Sequence, residues 1–217
     1  MTDVEAPHLN VTRTAYDTVA VDYAELLRDE LAGKPLERAM LAAFAELVRA
    51  DGGGPVGDLG CGPGRVTAHL ATLDLDAFGI DLSPGMVAQA RRDHPGLRFA
   101  VGTITALDLP DGELAGALGW YSVIHTPPAS QGEVFAEFAR VLRPGGRLLL
   151  GFQMGEDEGI RREQAYGHEV TYDIYRLSPD RVIRDLEDNG FQLRARVIRE
   201  PEGWEPTQQC YLLATRV

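Results

Sequence analysis

The fold is decided by one short stretch of sequence, Val56-Gly57-Asp58-Leu59-Gly60-Cys61-Gly62-Pro63-Gly64. Its pattern indicates the end of a buried strand, a glycine-rich turn and a helix that starts near Arg65. Alternate glycines let the backbone turn sharply and approach a ligand, because no Cβ atom stands in the way. The first N–H groups of the helix are free to bind a polar ligand. The stretch therefore predicts a nucleotide-binding crossover.

The acid ahead of the glycines narrows the class of ligand. The dinucleotide fingerprint is G-x-G-x-x-G, whereas here Asp58 precedes glycines at alternate positions. A carboxylate at the strand end repels a pyrophosphate and attracts an ammonium or a sulfonium group. The stretch therefore favours a cationic nucleoside without phosphate over NAD or ATP.

A second motif follows at Gly79-Ile80-Asp81-Leu82-Ser83-Pro84. It indicates a strand that ends in an acid, with Ser83 as a helix N-cap and Pro84 at the first helical position. Asp81 follows Gly64 at a distance of about one helix and one strand, where a Rossmann-like unit places its ribose-binding acid. We predict that Asp81 accepts hydrogen bonds from both ribose hydroxyls.

With these motifs, D-L-G-C-G-P-G and G-I-D-L-S, the chain resembles the class I S-adenosylmethionine-dependent methyltransferases over roughly residues 10 to 217. The resemblance implies S-adenosyl-L-methionine as the cofactor. The residues that it implies for cofactor binding are Tyr16, Asp58, Gly60, Cys61, Gly62, Gly64, Asp81, Leu82, Met86, Thr103, Ile104 and Trp120. Family members often carry an aspartate where this chain has Thr103, so adenine is expected to rely on a hydroxyl, on backbone groups and on Ile104.

Alternating strand and helix patterns predict an α/β fold in one domain, residues 1–217. We expect a Rossmann-like, doubly wound sheet of seven strands with helices on both faces, mostly parallel, with one antiparallel strand from the C-terminal hairpin. Residues 1–9 are expected to be a loose tail, and residues 10–50 a helical cap. Residues 153–177 interrupt the fold and are expected to form a lid. The expected apolar face of the second cap helix is Leu36, Met40, Ala43, Phe44, Leu47 and Val48.

The reaction side in this family is the carboxyl end of the fourth strand, here Gly119-Trp120-Tyr121-Ser122. It lacks the Asn/Asp-Pro-Pro-Tyr-like motif of enzymes that methylate planar nitrogens of DNA or protein amides. His125 is the candidate catalytic base, which is needed only if the acceptor arrives protonated. The competing interpretation is that His125 caps or packs the adjoining helix. The candidate substrate contacts are aromatic: Tyr23, Tyr121, Tyr166, His168 and Tyr172.

Composition limits the partners and the compartment. The formal net charge is −12, and the only short basic clusters are Arg91-Arg92 and Arg161-Arg162, which disfavours nucleic acid. Neither the two cysteines nor any histidine pair has the spacing of a metal site, so no metal is expected. No apolar run approaches a membrane span and no signal peptide is visible, so we expect a cytoplasmic protein without a membrane partner. The sequence carries no signal for oligomeric state.

Together these observations favour S-adenosylmethionine-dependent methyl transfer to an oxygen or a nitrogen of a small molecule, by in-line displacement. Alignment of the nucleophile with the methyl group supplies most of the rate gain in such a reaction. Two alternatives remain open. One is methylation of a protein or peptide, and the other is a cofactor-binding protein without catalysis that acts as a sensor or as a partner of another protein.

Overall fold

A computed structural model describes residues 7–217 of the chain. The helices are α1 (Pro7–Leu27), α2 (Pro35–Ala50), α3 (Arg65–Thr72), α4 (Pro84–Asp93), α5 (Gln131–Val141) and α6 (Pro179–Asp188). The strands are β1 (Pro55–Leu59), β2 (Asp76–Asp81), β3 (Arg98–Val101), β4 (Leu114–Trp120), β5 (Leu142–Gln153), β6 (Gly159–Ala165), β7 (His168–Tyr175), β8 (Phe191–Arg199) and β9 (Gln209–Arg216).

The main sheet has seven strands in the order β3-β2-β1-β4-β5-β9-β8. Neighbours from β3 to β5 pair in parallel, whereas β9 runs antiparallel to both β5 and β8. The predicted α/β class and the single antiparallel strand are therefore confirmed. The strand order reverses direction between β1 and β4, and a doubly wound sheet binds its ligands at the carboxyl ends of the strands beside such a point.

Helices cover both faces of this sheet. Every residue of β4 is buried, as expected for a central strand of a parallel sheet. On one face, Phe44 of α2 and Leu70 of α3 pack with Leu149 of β5. On the other face, Phe135 of α5 and Leu186 of α6 join a second apolar cluster. The central strands are thus held rigidly, and their carboxyl ends form a fixed edge on which side chains can be positioned.

The N-terminal cap is tied to the core through one carboxylate. Asp17 of α1 accepts hydrogen bonds from the Ser83 hydroxyl at 2.6 Å and from the backbone N–H of Gly85 at 2.8 Å. These groups lie at the start of α4, so α1 crosses the carboxyl edge of the sheet beside β2. Residues 7–9, expected in a tail, already belong to α1, and residues 1–6 lie outside the described part of the chain.

The segment between β5 and α6 is a β-hairpin, formed by β6 and β7 and separate from the main sheet. Its two-residue turn is Tyr166-Gly167, with φ of 52° and 83°. Two positive φ values are typical of the type I′ turn, whose twist matches that of the flanking strands. Tyr172 and Ile174 of β7 are buried against the core that α1 also joins. The expected insertion therefore packs onto the N-terminal cap.

Candidate active site

A cavity of about 860 Å³ opens at the carboxyl edge of the sheet. Its walls come from the ends of β1, β2, β4 and β5, from α1, from the hairpin and from the turn between β8 and β9. Ligand pockets in proteins span roughly 300–1,000 Å³. The cavity is therefore large for one small ligand, and it joins the elements that the sequence motifs predicted with others that they did not.

The glycine turn needs its glycines for steric reasons. Gly60 and Gly62 have φ of 87° and 54°, a region that other residues seldom adopt. A Cβ atom on Gly60 would lie 2.2 Å from the Cβ of Ser122. Gly60 and Gly62 line the cavity, whereas Gly64 does not. Gly64 precedes α3 with φ of 81°, and a Cβ atom there would meet the Phe99 ring. Gly64 therefore shapes the turn from beneath.

Cys61 also contributes mainly beneath the turn. Its side chain packs with Phe99, Val87 and Ala90 in a small apolar cluster. A Cβ on Gly79 would lie 2.6 Å from the Cys61 sulfur, so the bare backbone of β2 makes room for the thiol. Burial raises the pKa of this thiol well above its usual value. Cys61 thus supports the floor of the cavity, and its reactivity is suppressed.

Asp81 stands at the end of β2 with both carboxylate oxygens held by backbone groups. Its Oδ2 accepts from the N–H of Gly62 at 2.8 Å, and its Oδ1 accepts from the N–H of Ser83 at 2.9 Å. Each carboxylate oxygen has two lone pairs, so each keeps one acceptor position for a ligand. Burial raises the pKa of Asp81 to about 6. The geometry suits a pair of neighbouring hydroxyls.

Asp58, one strand away, leaves an acceptor atom open. Its Oδ2 accepts from the Thr67 hydroxyl at 2.6 Å. Its Oδ1 has no hydrogen-bond partner among residues 7–217, although the residue is only 1% exposed and lines the cavity. Burial raises the pKa of Asp58 to about 6. A buried acceptor without a partner is costly, and a cationic or hydrogen-bonding ligand in the cavity would relieve that cost.

The predicted adenine side lies at the ends of β2 and β3. Leu82, Met86 and Ile104 line the cavity there, and Ser83 caps α4 as predicted by accepting from the Met86 N–H at 3.0 Å. The Thr103 hydroxyl also faces the cavity, but it lies 2.8 Å from the Thr105 hydroxyl. Thr103 therefore has a structural partner of its own and differs from a freely available carboxylate.

Aromatic rings form the roof. The ring centroids of Tyr16 and His125 are 5.1 Å apart, those of Tyr16 and Tyr172 5.4 Å, and those of Tyr23 and Tyr166 4.9 Å. These five residues come from α1, the hairpin and the segment after β4, and all of them line the cavity. The cap, the insertion and the segment after β4, which were predicted separately, are thus joined by one cluster of edge-on and tilted ring contacts.

His125 makes two contacts that define its tautomer. Its Nδ1 lies 3.4 Å from the backbone carbonyl of Asp173, and its Nε2 lies 3.0 Å from the Tyr16 hydroxyl. A carbonyl only accepts, so Nδ1 carries the hydrogen and Nε2 accepts from Tyr16. Burial lowers the pKa of His125 to about 4. The imidazole is therefore neutral at pH 7, with its basic nitrogen held by Tyr16.

The end of β4 supplies two further aromatic residues. Trp120 stacks on Tyr211 of β9, with ring centroids 5.2 Å apart, and also reaches the cavity. Tyr121 has φ of 57°, which is unusual for a residue with a large side chain. Its hydroxyl lies 3.2 Å from the Tyr211 hydroxyl. Sub-optimal backbone geometry of this kind is held in place by its surroundings and concentrates at functional sites.

One predicted contact lies elsewhere, and several contacts were missed. His168 is not among the residues that line the cavity, because its Nε2 lies 2.7 Å from Asp22 on α1. The missed residues lie beside the start of α2, after β4, on β5 and β9 and in the turn before β9: Lys34, Glu37, Ser122, Gln153, Trp204, Glu205 and Gln209. The one sequence signal was helical spacing, since Glu37 shares the buried stripe of Leu41 and Phe44.

The described residues were searched for a metal site and for a membrane-spanning helix. Residues 7–217 contain no group of three or more His, Cys, Asp or Glu side chains arranged to hold a metal ion. Within the same range, no helix combines the length and the apolar character that crossing a bilayer requires.

Known methyltransferases resemble this chain in sequence. A family described as a methyltransferase domain matches residues 56–146. A demethylmenaquinone methyltransferase from Beutenbergia cavernae is 33% identical over 135 residues, which are 62% of this chain and 55% of that protein. The chain spans only 37% to 55% of the length of the first curated relatives that it matches.

Solved structures share the fold across the whole chain. A 1,6-didemethyltoxoflavin-N1-methyltransferase from Burkholderia thailandensis has a TM-score of 0.71 at 22% identity, covering 100% of this chain and 93% of that one. A magnesium protoporphyrin IX methyltransferase from Synechocystis has a TM-score of 0.72 at 17% identity, covering 100% of both. The matched sequence, residues 56–146, also carries the glycine turn and Asp81. Residues 56–146 thus match a methyltransferase domain by sequence, and the chain shares its fold with these solved methyltransferases.

Proposed function

We propose that this protein transfers a methyl group from S-adenosyl-L-methionine to an oxygen or a nitrogen of a small molecule. The observation that carries the proposal is the pair of buried carboxylates, Asp58 and Asp81, which keep acceptor atoms open to the cavity beside the glycine turn. When bound, S-adenosylmethionine supplies an electrophilic methyl group on a sulfonium. Relatives of this chain carry the names of methyltransferases that act on small molecules, which supports the same class here.

The binding roles follow from the carboxylates and the apolar side chains that line the cavity. Asp81 accepts hydrogen bonds from the ribose hydroxyls, because its two oxygens are fixed side by side by Gly62 and Ser83. The carboxylate of Asp58 compensates positive charge near the end of β1. Leu82, Met86 and Ile104 provide an apolar wall for the nucleobase. Tyr16 of α1 and Trp120 at the end of β4 also line the cavity.

The chemical step requires alignment above all. A base is needed only for an acceptor that arrives protonated. We assign this role to Tyr16 and His125 acting together. The Tyr16 hydroxyl takes the acceptor's proton as it passes its own proton to Nε2 of His125, and the Asp173 carbonyl keeps the imidazole in the tautomer that can receive it. The relay avoids a free tyrosinate, which burial disfavours by raising the pKa of Tyr16.

The size of the acceptor is limited by the roof. The hairpin and α1 pack over the cavity, so residues of the sheet edge, of α1 and of the hairpin surround it. Such an enclosed site favours a small molecule over a folded protein as the acceptor. The roof also gives the insertion a role as a lid over the acceptor. A non-catalytic sensor would need the cofactor cradle but not the dyad of Tyr16 and His125, so the dyad favours an enzyme.

Calorimetry with S-adenosylhomocysteine tests the cofactor assignment. We expect wild-type protein to bind S-adenosylhomocysteine and not NAD, and Asp81→Ala to weaken binding by about tenfold or more, because two hydrogen bonds to a carboxylate are lost. Asp76→Ala is the matched control, since Asp76 lies at the other end of β2 and is exposed. Equal affinity in wild type and Asp81→Ala would overturn the proposal.

A further inference from the structure

The cavity continues beyond Tyr121 into a polar end that the cofactor does not account for. This end, called here the distal pocket, is formed by Glu37 and Lys34 at the start of α2, Gln153 at the end of β5, and Trp204 and Glu205 in the turn before β9. Most residues assigned to the cofactor lie on or directly after β1, β2 and β3, whereas Tyr16 belongs to α1, Met86 to α4 and Trp120 to β4. The distal pocket instead lies over β5 and β9, across β4 in the sheet order.

Glu37 presents an unpaired acceptor to this pocket. It is only 4% exposed. Its Oε1 accepts from Nη2 of Arg199 and from the Tyr211 hydroxyl, each at 2.8 Å. Its Oε2 is buried and has no hydrogen-bond partner anywhere in residues 7–217. A structural clamp between α2 and β8 would be complete with Oε1 alone, so the open Oε2 indicates a ligand.

The charged groups around Glu37 form one network. Arg199 donates to Glu205 through two nitrogens, at 2.7 Å and 2.8 Å, in addition to its bond with Glu37. Lys34 donates to Glu205 at 2.7 Å and to Glu202 at 3.3 Å. The buried part of this network holds two carboxylates and two cations, because the third carboxylate, Glu202, is 52% exposed and does not line the cavity. What the open Oε2 of Glu37 lacks is a hydrogen-bond donor, which a protonated amine supplies.

Gln153 adds a second open acceptor. It pairs with Gln209 across β5 and β9, and Tyr211 lies two residues further along β9. Side chains alternate along a strand, so Gln153, Gln209 and Tyr211 share one face of the sheet, the face that α2 covers. The side-chain oxygen of Gln153 is buried and has no partner within the described chain. The Ser122 hydroxyl, which can donate or accept, is also buried and unpartnered at the cavity wall. Glu37 Oε2 and Gln153 Oε1 only accept, so a ligand that reaches these two atoms supplies the donors.

We propose that the distal pocket binds the methyl acceptor and selects an acceptor that carries a protonated amine, which donates to Glu37 and Gln153. The inference rests on the proposed function, because it names the substrate class of the same cavity. Trp204 stands at the rim with 76% exposure and offers an aromatic face to the body of the ligand or to its charge. Tyr121 lines the same cavity, and its hydroxyl lies 3.2 Å from that of Tyr211, which also bonds Glu37.

Three small probes of one shape test the selection. The probes are tyramine, which carries the amine, 4-ethylphenol, which lacks it, and 3-(4-hydroxyphenyl)propionate, which carries a carboxylate. Titrations followed by NMR use the protein saturated with S-adenosylhomocysteine. We expect tyramine to bind about tenfold or more tightly than 4-ethylphenol, because a hydrogen bond to a charged group is gained, and the carboxylate probe to bind most weakly.

Variants assign the selection to its residues. Glu37→Gln should reduce the preference for tyramine over 4-ethylphenol to within about twofold, while the affinity for S-adenosylhomocysteine stays unchanged. Glu46→Gln is the matched control, because Glu46 is exposed on the same helix. Gln153→Leu provides an independent variant that leaves the Arg199 cluster intact, and it should also reduce the preference.

The outcomes separate the two proposals. Equal affinity for the three probes, or a preference that survives both Glu37→Gln and Gln153→Leu, overturns the amine subsite. Failure to bind S-adenosylhomocysteine overturns the cofactor assignment instead. A tyramine preference that depends on Glu37 would then still stand, measured without the cofactor product.

Discussion

At the scale of single residues, the two buried acids make cofactor affinity depend on pH. Burial raises the pKa of Asp81 and that of Asp58 to about 6 in the free protein. The ligand's hydroxyls and positive charge favour the ionised forms, so binding is strongest above pH 6 and weakens as the pH falls through 6. Calorimetry between pH 5 and pH 8 measures this directly.

The contributions of the two acids separate by substitution. Asp81→Asn should remove part of the pH dependence and Asp58→Asn another part, while Asp76→Asn at the exposed start of β2 should remove none. An affinity of the wild type that is constant from pH 5 to pH 8 would contradict the assignment of these acids to the ligand.

The dyad of Tyr16 and His125 gives a second residue-scale prediction. Tyr16→Phe keeps the ring in the aromatic roof but removes the hydroxyl that bonds Nε2 of His125. With an acceptor that must lose a proton, turnover of Tyr16→Phe and of His125→Ala should fall by about 10²–10⁴. The affinity for S-adenosylhomocysteine, measured by calorimetry, should change little in His125→Ala.

The pH profile of turnover sharpens this test. Because the pKa of His125 is lowered to about 4, the base is already neutral above pH 5, and turnover at saturating cofactor should fall only as the pH approaches 4. A fall centred near pH 6.5 that persists in Tyr16→Phe would count against the relay. The free energy of unfolding should also decrease as the pH falls below about 6.5. The reason is that the pKa of His125 is lowered in the folded state, so the unfolded chain binds the proton more readily.

At the scale of elements, the hairpin of β6 and β7 is the proposed lid. Tyr172 is 7% exposed and belongs to the core, so truncating it would confound binding with stability. Tyr166 is better suited to a test, because it lines the cavity from the turn with φ of 52°. Asparagine tolerates that backbone conformation better than tyrosine does. Tyr166→Asn should therefore leave the melting temperature nearly unchanged while it raises the Michaelis constant.

The control for the lid lies in the same hairpin. Glu163 is exposed on β6, and Glu163→Gln should change neither the Michaelis constant nor the melting temperature. If Tyr166→Asn lowers the melting temperature by several degrees and activity merely follows, the ring packs the fold and the lid hypothesis fails.

The elements also show where prediction from the sequence ends. The strand–turn–helix of residues 56–72 and the capped start of α4 were predictable, because their glycines, acids and caps are local signals. The apolar face assigned to α2 was partly right: Phe44 and Val48 are buried, and half-buried Met40 and Leu47 pack against the same cluster. The buried stripe is Glu37, Leu41, Phe44, Ala45 and Val48, whereas Ala43 is exposed. A pattern of apolar residues alone cannot reveal that Glu37 belongs to this buried stripe.

The distal pocket was invisible for a related reason. Glu37, Gln153 and Glu205 are distant in sequence and meet only through the pairing of β5 with β9 and the packing of α2. No spacing within one stretch encodes such a contact. His168 shows the opposite case, since its neighbourhood of tyrosines suggested a substrate contact, yet the alternation of β7 and its pair with Asp22 direct it elsewhere.

At the scale of the whole molecule, Arg199 joins the N-terminal cap to the C-terminal strands. It is 7% exposed and bonds Glu37 of α2 and Glu205 of the turn before β9. Removing one member of a buried ionic cluster leaves charge uncompensated, which costs about 3–5 kcal/mol. Arg199→Ala should therefore lower the free energy of unfolding by about that amount, as measured by urea denaturation.

An exposed ion pair on the same strand is the control. Arg196 pairs with Asp180 at 2.6 Å, with side chains 42% and 73% exposed, so Arg196→Ala should cost about 0–1 kcal/mol. Similar losses in the two variants would show that the cluster around Arg199 is not the anchor.

Glu205 keeps its charge in acid, because hydrogen bonds from Arg199 and Lys34 outweigh its burial and lower its pKa to about 2. Its contribution is present above about pH 4.5 and is lost as the pH falls to 2.

The two thiols of the chain are buried in parts of the molecule that should open on different timescales. Cys61 lies beneath the glycine turn, whereas Cys210 sits in mid-sheet between Phe152 and Ile198. Burial raises both pKa values, that of Cys210 to about 12, so an alkylating reagent near pH 8 meets almost no thiolate until the structure opens. The labelling rate of Cys61 then reports local breathing of the turn, which a bound nucleoside slows, and that of Cys210 reports disruption of the sheet.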